Sequence, residues 1–328
     1  MLLYQKFVEP PERSLKPAGH VQPELSDEAG APSPQETSTR TSSKPPVFNR
    51  VTYQKRRAAF TSNLEYKGPS PQEYETFNTP AGVEEVVYES EGLELKAWVD
   101  RRGASEEKSP AIVYFHGGFA IALSSIEEAC AQFREAGFVV MCPTLRGENG
   151  NPGNFELFLG EVDDAANACR WLAQQDYVDQ DRIYTFGHSV GGGISTLLSL
   201  QEDLPVAYTG SSGGLYSVHT FFSWREIVPF DWTSQSEKKI RILSGNIADM
   251  LTPHIAYIGT EDLPFHSTIY AVQNEKKKDS FLTVRKVHGD HFTSFDVAVK
   301  EYIKLLKALP KSSPAHTSEP ETDRTGNQ

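Results

Sequence analysis

Residues 182–200 read RIYTFGHSVGGGISTLLSL, a β-prone apolar run passing through Gly187-His188-Ser189-Val190-Gly191 into a second apolar run. The pattern is strand, tight turn, helix, with G-x-S-x-G at the turn. A sharp strand-to-helix bend strains its central residue and crowds the residues beside it, and glycine removes the Cβ atoms that would collide. The bend presents Ser189 at the carboxyl end of a strand and the amino end of a helix. Unpaired amides and the helix dipole favour developing negative charge there. A glycine-rich turn with an incidental serine is the bland alternative, and the strand-turn-helix setting makes it the minority one.

Outward from this turn, strands and helices alternate. Val83-Tyr88 and Leu93-Val99 are short β-prone runs joined through Ser90-Glu91-Gly92, which reads as a hairpin. Ala111-Phe115 and Phe138-Cys142 are continuously apolar, as suits strands covered on both faces. Ile126, Ala129, Cys130, Phe133 and Ala136 recur at helical spacing, and so do Val162, Ala165, Ala166, Cys169 and Leu172. Val206-Ser211, His254-Ile258 and Phe281-Lys286 read as further strands, and Phe292, Phe295, Val299, Ile303 and Leu306 define a closing helix. This alternation predicts an α/β fold, a mostly parallel central sheet with helices on both faces. Gly213 to Met250 breaks the rhythm after the sixth strand. Its aromatics, Tyr216, Phe221, Phe222, Trp224, Phe230 and Trp232, predict a small insertion over the sheet edge.

Composition bounds the rest. The 328 residues carry 32 Lys+Arg against 44 Asp+Glu, a net charge of -12, which argues against nucleic acid or an anionic membrane as partner. Residues 1–50 hold eight of the 21 prolines and nine Ser/Thr, and after Leu309 no aliphatic larger than alanine and no aromatic appears. Both segments are expected to be disordered, 1–50 at the front and 310–328 at the end, around one domain over 51–309. Three cysteines, Cys130, Cys142 and Cys169, form no Cys-x-x-Cys pair, so a disulfide scaffold or structural zinc is not expected. With no apolar run of membrane-spanning length and no secretory leader pattern, the expected location is cytoplasmic.

A serine hydroxyl needs a base to take its proton. Val287-His288-Gly289-Asp290-His291-Phe292 lies between the last strand and the last helix and offers two histidines. His291 is preferred, at the mouth of the helix after a Gly-Asp turn, whereas His288 borders the strand. An acid must then fix the imidazole tautomer. Gly259-Thr260-Glu261-Asp262 follows a strand and supplies two adjacent carboxylates, of which Asp262 is chosen; an Asp capping the next helix is the competing reading. Asp290 is a poor candidate, because immediate chain neighbours rarely orient each other's side chains. The order Ser189, Asp262, His291 is nucleophile, acid, base.

With these motifs in that order, the chain resembles the α/β-hydrolases. More narrowly, it is similar to prolyl-oligopeptidase-like serine peptidase domains and dienelactone-hydrolase-like esterases. The residues that carry the resemblance are Phe115-His116-Gly117-Gly118-Phe119, Leu145-Arg146-Gly147, the G-x-S-x-G turn, Gly259-Thr260-Glu261-Asp262 and Gly289-Asp290-His291-Phe292. The resemblance implies an α/β-hydrolase fold with Ser189, Asp262 and His291 catalytic. It also implies an oxyanion hole from the amides of Gly118, Phe119 and Val190. Two departures stand out. Residues 1–82, much of them low in complexity, are not expected to hold the propeller of true prolyl oligopeptidases. The H-G-G loop continues with Phe119 rather than a fourth glycine, which narrows the acyl site. His116 is read as a structural histidine of that loop, and Arg146 as an ion-pair partner.

The function this implies is hydrolysis of a carboxylic ester or amide through an acyl-enzyme, esters ahead of short peptides, with no metal or organic cofactor. The reading from another class is a ligand-binding protein on the same fold with an idle triad. The aromatic insertion either lines an acyl pocket or simply packs on the sheet.

Overall fold

The computed structural model describes residues 50–310, apart from 106–107, 263–265, 267–268, 270–271 and 276–280. The expectations for residues 1–49 and 311–328 therefore lie outside the described residues.

Eight strands form one sheet: β1 (Val83–Ser90), β2 (Leu93–Asp100), β3 (Ser109–Phe115), β4 (Val139–Pro143), β5 (Val178–His188), β6 (Tyr208–Ser212), β7 (His254–Gly259) and β8 (Leu282–Val287). Their spatial order is β1-β2-β4-β3-β5-β6-β7-β8. The β1–β2 hairpin and the β2–β4 pair are antiparallel, and every other pairing is parallel. The strand order reverses between β4 and β5 around β3, and ligand sites in open α/β sheets gather beyond the carboxyl ends of strands at such a reversal.

The helices are α1 (Tyr53–Ala58), α2 (Ala131–Glu135), α3 (Gly160–Ala173), α4 (Val190–Leu198), α5 (His219–Ser223), α6 (Gln235–Ile240) and α7 (Ser294–Ala308). Strand side chains alternate between faces. Ile112, Tyr114, Val140, Tyr184, Phe186, Ile255 and Tyr257 share one buried cluster with Phe133 of α2 and Tyr302 and Leu306 of α7. Thr185 turns to the other face, where its hydroxyl lies 2.8 Å from Ser195 Oγ of α4. The continuous apolar runs are thus strands clothed on both sides.

Two local features depart from the sequence reading. Residues 126–136 are not one helix but a π turn at Ser125–Ala129 followed by the five-residue α2. Ile126, Cys130 and Phe133 still face the sheet; apolar spacing reports which face is buried, not how many residues each turn holds. The segment before β1 is pinned to the insertion. Leu64 bridges Phe230, and the amides of Glu65 and Tyr66 both donate to the Pro229 carbonyl.

Candidate active site

The elbow is built by close approach. A Cβ on Gly187 would sit 2.0 Å from the Gly191 carbonyl oxygen, and one on Gly191 would sit 2.1 Å from the Phe115 carbonyl oxygen. Backbone cannot swing aside as a flexible side chain can, so both positions require glycine. Between them Ser189 takes φ 54° and ψ −114°, a conformation that costs a non-glycine residue about 1–3 kcal/mol. The strain is held in place by the Ser189 N–H on Ser212 O at 3.0 Å and the Gly191 N–H on His116 O at 3.0 Å. The first bond ties the elbow to β6 and the second ties it to the H-G-G loop after β3. Ser189 is 3% exposed.

Asp262 and His291 come from the loops after β7 and β8. Those loops brace each other: Thr260 N–H donates to Val287 O at 2.8 Å and Glu261 N–H to Gly289 O at 2.9 Å. His291 Nδ1 then lies 2.9 Å from Asp262 Oδ2, with the two residues 5% and 2% exposed. The carboxylate therefore fixes the proton on Nδ1 and turns Nε2 toward any proton to be taken. The imidazole lies against Gly213, where a Cβ would come within 2.8 Å of its Cε1 and Nδ1. Its ring centroid is 4.7 Å from that of His188, the residue preceding the nucleophile candidate. Burial first, and then neighbouring His291, hold His188 down at about 3, so it stays neutral beside His291.

The competing residues sit elsewhere. The His288 side chain is 87% exposed and 3.8 Å from Glu261, itself largely exposed. Asp290 Oδ1 accepts from the Phe292 and Thr293 amides and from Thr293 Oγ1 in the turn that precedes α7, and it is Asp262 that meets the His291 ring. Both ring nitrogens of His116 face acceptors, Nδ1 at 3.1 Å from Gly117 O and Nε2 at 3.2 Å from Glu148 Oε2. Burial pulls its pKa down, but the Glu148 carboxylate outweighs this and the net shift is upward. Arg146 pairs with Asp164, Glu156 and Glu91. Both residues hold the loops behind the site.

The three candidate oxyanion donors are not equivalent. Among the described residues, no hydrogen bond engages the N–H of Gly118 or of Val190. The N–H of Phe119 donates to Gln72 Oε1 at 2.9 Å. Gln72 escaped sequence reasoning, since an isolated glutamine in a segment without periodicity gives no signal. Phe155 and Phe158 escaped it too, although two aromatics in a loop before a helix are a faint one. Phe119 packs edge-on against Phe155 and Trp224, with centroids 5.2 and 5.3 Å away, and Phe158 stacks on Trp224. Trp224 brings the insertion into this wall. Residues Leu157 and Phe158 both have positive φ. Glu161 accepts from the amides of Glu156, Leu157 and Leu159 and so staples that turn.

Residues 125–242 match the Prolyl oligopeptidase family. That stretch contains the elbow but neither Asp262 nor His291. A peptidase of uncharacterized function from Bacillus subtilis (strain 168), YtmA, is 33% identical over 148 residues, 45% of this chain and 54% of that protein. The acylaminoacyl peptidase of Pyrococcus horikoshii superposes with a TM-score of 0.53 at 18% identity, over 69% of this chain and 40% of the other. Esterase 2 of Thermogutta terrifontis, solved phosphoramylated by tabun, superposes at 0.56 and 19% identity, over 71% of this chain and 97% of the esterase. The chain thus spans about half the length of the curated relatives it matches. The chain has the α/β-hydrolase fold, and residues 125–242 resemble the Prolyl oligopeptidase family.

Proposed function

We propose that the protein is a serine hydrolase that cleaves a carboxylic ester or amide through an acyl-enzyme on Ser189. The observation that supports this reading is the buried His291–Asp262 pair, whose imidazole packs on His188, the residue before a strained serine at the head of α4. His291 takes the Ser189 proton as the hydroxyl oxygen attacks the carbonyl carbon. Asp262 stabilises the resulting imidazolium, and the proton passes to the leaving group as the bond to it breaks. Water then repeats the sequence on the acyl-enzyme. The Gly118 and Val190 amides face no competing acceptor among the described residues, so they are the natural pair for the tetrahedral oxyanion. Rigid donors of this kind each contribute about 10²–10³ in rate. Phe119 joins them only if Gln72 releases its N–H.

Esters are the preferred substrates. Phe119, Phe155, Phe158 and Trp224 pack on one another beside the H-G-G loop, apolar surroundings that favour a compact acyl or aryl group. The match to the Prolyl oligopeptidase family favours a second reading, cleavage of short peptides. The test sets p-nitrophenyl esters of increasing acyl length against aminoacyl and dipeptide p-nitroanilides, with the wild type and Ser189→Ala. The proposal expects ester turnover to exceed anilide turnover and to vanish in Ser189→Ala. Equal ester turnover in both proteins moves the chemistry off Ser189 and refutes it, and no turnover in either leaves a ligand-binding protein on this fold.

A further inference from the structure

Residues 62–72 form a strap across the front of the molecule, with one end anchored and the other on the H-G-G loop. At the anchored end the Arg241 guanidinium, almost fully buried, donates to Ser62 Oγ at 2.7 Å and pairs with Glu237. Glu237 in turn accepts from Ser62 Oγ and the Asn63 amide, both at 2.9 Å. A buried ion pair of this type is costly to disturb, because removing one partner strands the other. Further along, the Ser70 amide donates to Gly147 O at 3.0 Å and the Phe155 amide to Gly68 O at 2.8 Å. Pro69 and Pro71 flank Ser70 and restrict the chain on either side.

At the far end the strap grips one peptide residue from both sides. Ser70 Oγ donates to the Phe119 carbonyl at 2.6 Å, and Gln72 Oε1 accepts from the Phe119 N–H at 2.9 Å. Phe119 is 2% exposed, so water cannot readily replace either partner. Gly118, immediately before it, has φ +74°, outside the well that most residues hold unaided. The orientation of the Gly118 peptide is therefore set by its neighbours.

We infer that Ser70 and Gln72 are positioning residues that clamp the Phe119 peptide and thereby aim the Gly118 N–H at the reacting carbonyl. This rests on the serine hydrolase reading for its catalytic consequence, but the clamp itself does not. The strap also joins the aromatic insertion, through Pro229, Phe230 and Glu237, to the H-G-G loop.

The test uses the full chain with Gln72→Leu and, separately, Ser70→Ala. Active sites are titrated with a fluorophosphonate, p-nitrophenyl acetate hydrolysis is measured per titrated site, and phenylboronic acid is bound as a tetrahedral adduct. Hydrogen exchange is followed over residues 114–122. Each variant should speed exchange at Phe119, lower kcat about tenfold with KM within about twofold, and weaken the boronate by the same factor as kcat. A merely structural role would lower the titrated fraction and leave kcat per site alone, which overturns the inference. A rise in kcat on losing the Gln72 amide also overturns it, because Gln72 would then be a plug in the oxyanion hole. Unchanged exchange overturns it whatever the kinetics show. Absence of labelling and turnover in the wild type counts against the serine hydrolase reading instead, and the exchange result still decides whether the strap holds the loop.

Discussion

Asp262 and Glu261 are neighbours of equal charge, yet their surroundings differ completely. Asp262 is buried against the His291 imidazole, while Glu261 is largely exposed beside His288. Asp262→Asn should therefore lower kcat/KM by about 10⁴ with little loss of folding, since the amide favours the wrong imidazole tautomer. Glu261→Gln should leave kcat/KM within about twofold. Steady-state kinetics on a p-nitrophenyl ester decides it, and the opposite pattern would move the acid to Glu261. His116 offers a second test at this scale. Its folded pKa is raised by Glu148, so its charged form contributes stability that is full below the unfolded value near 6.5. That contribution is lost as pH rises through the higher folded value. Thermal unfolding of the wild type should weaken with rising pH above about 6.5 relative to His116→Asn. A variant that shows the same slope contradicts the assignment. At this scale the serine was legible because its chemistry demands glycine on both sides. The choice between the two carboxylates was only weakly legible, because burial rather than residue type separates them.

The strands of the parallel core were the most legible elements. Ala111-Phe115 and Phe138-Cys142 can be apolar throughout only if both faces are covered, and α2, α4 and α7 cover them. The π turn at Ser125–Ala129 was not legible, because it preserves the buried face that periodicity measures. The turn before α3 was not either. Its Leu157 and Phe158 sit at positive φ without being glycine, held by the Glu161 carboxylate on α3. Glu161→Ala removes three amide partners at once and should destabilise the protein by about 2–4 kcal/mol in urea unfolding. It should also raise KM for bulky acyl groups, because Phe158 stacks on Trp224. A loss below about 0.5 kcal/mol would mean that packing alone holds the turn.

Across the whole molecule, the sheet brings three loops, from the ends of β5, β7 and β8, to one edge, and the strap ties a fourth, after β3, to the insertion. The two ends of the region before β1 are expected to differ in what they contribute to stability. From composition alone, removing residues 1–45 should shift the thermal midpoint by no more than about 2 °C. Removing residues 1–75 takes away Tyr53, fully buried with its hydroxyl on Ile240 O at 3.0 Å, together with the strap. That truncation should lower the midpoint by 10 °C or so, the order expected for several lost buried contacts. Differential scanning calorimetry of the two truncations separates them, and equal midpoints would deny the strap any structural role. The strap was invisible in the sequence because its bonds run from side chains and backbone of an extended segment, with no period to detect.

In the proposed mechanism Ser189 is an activated nucleophile. A fluorophosphonate reacts with such a serine and not with an ordinary buried hydroxyl. Peptide mapping by mass spectrometry should find the adduct on Ser189 in the wild type, labelling slowed by orders of magnitude in His291→Ala, and none in Ser189→Ala. An unlabelled wild type, or label on another residue that persists in Ser189→Ala, contradicts the account.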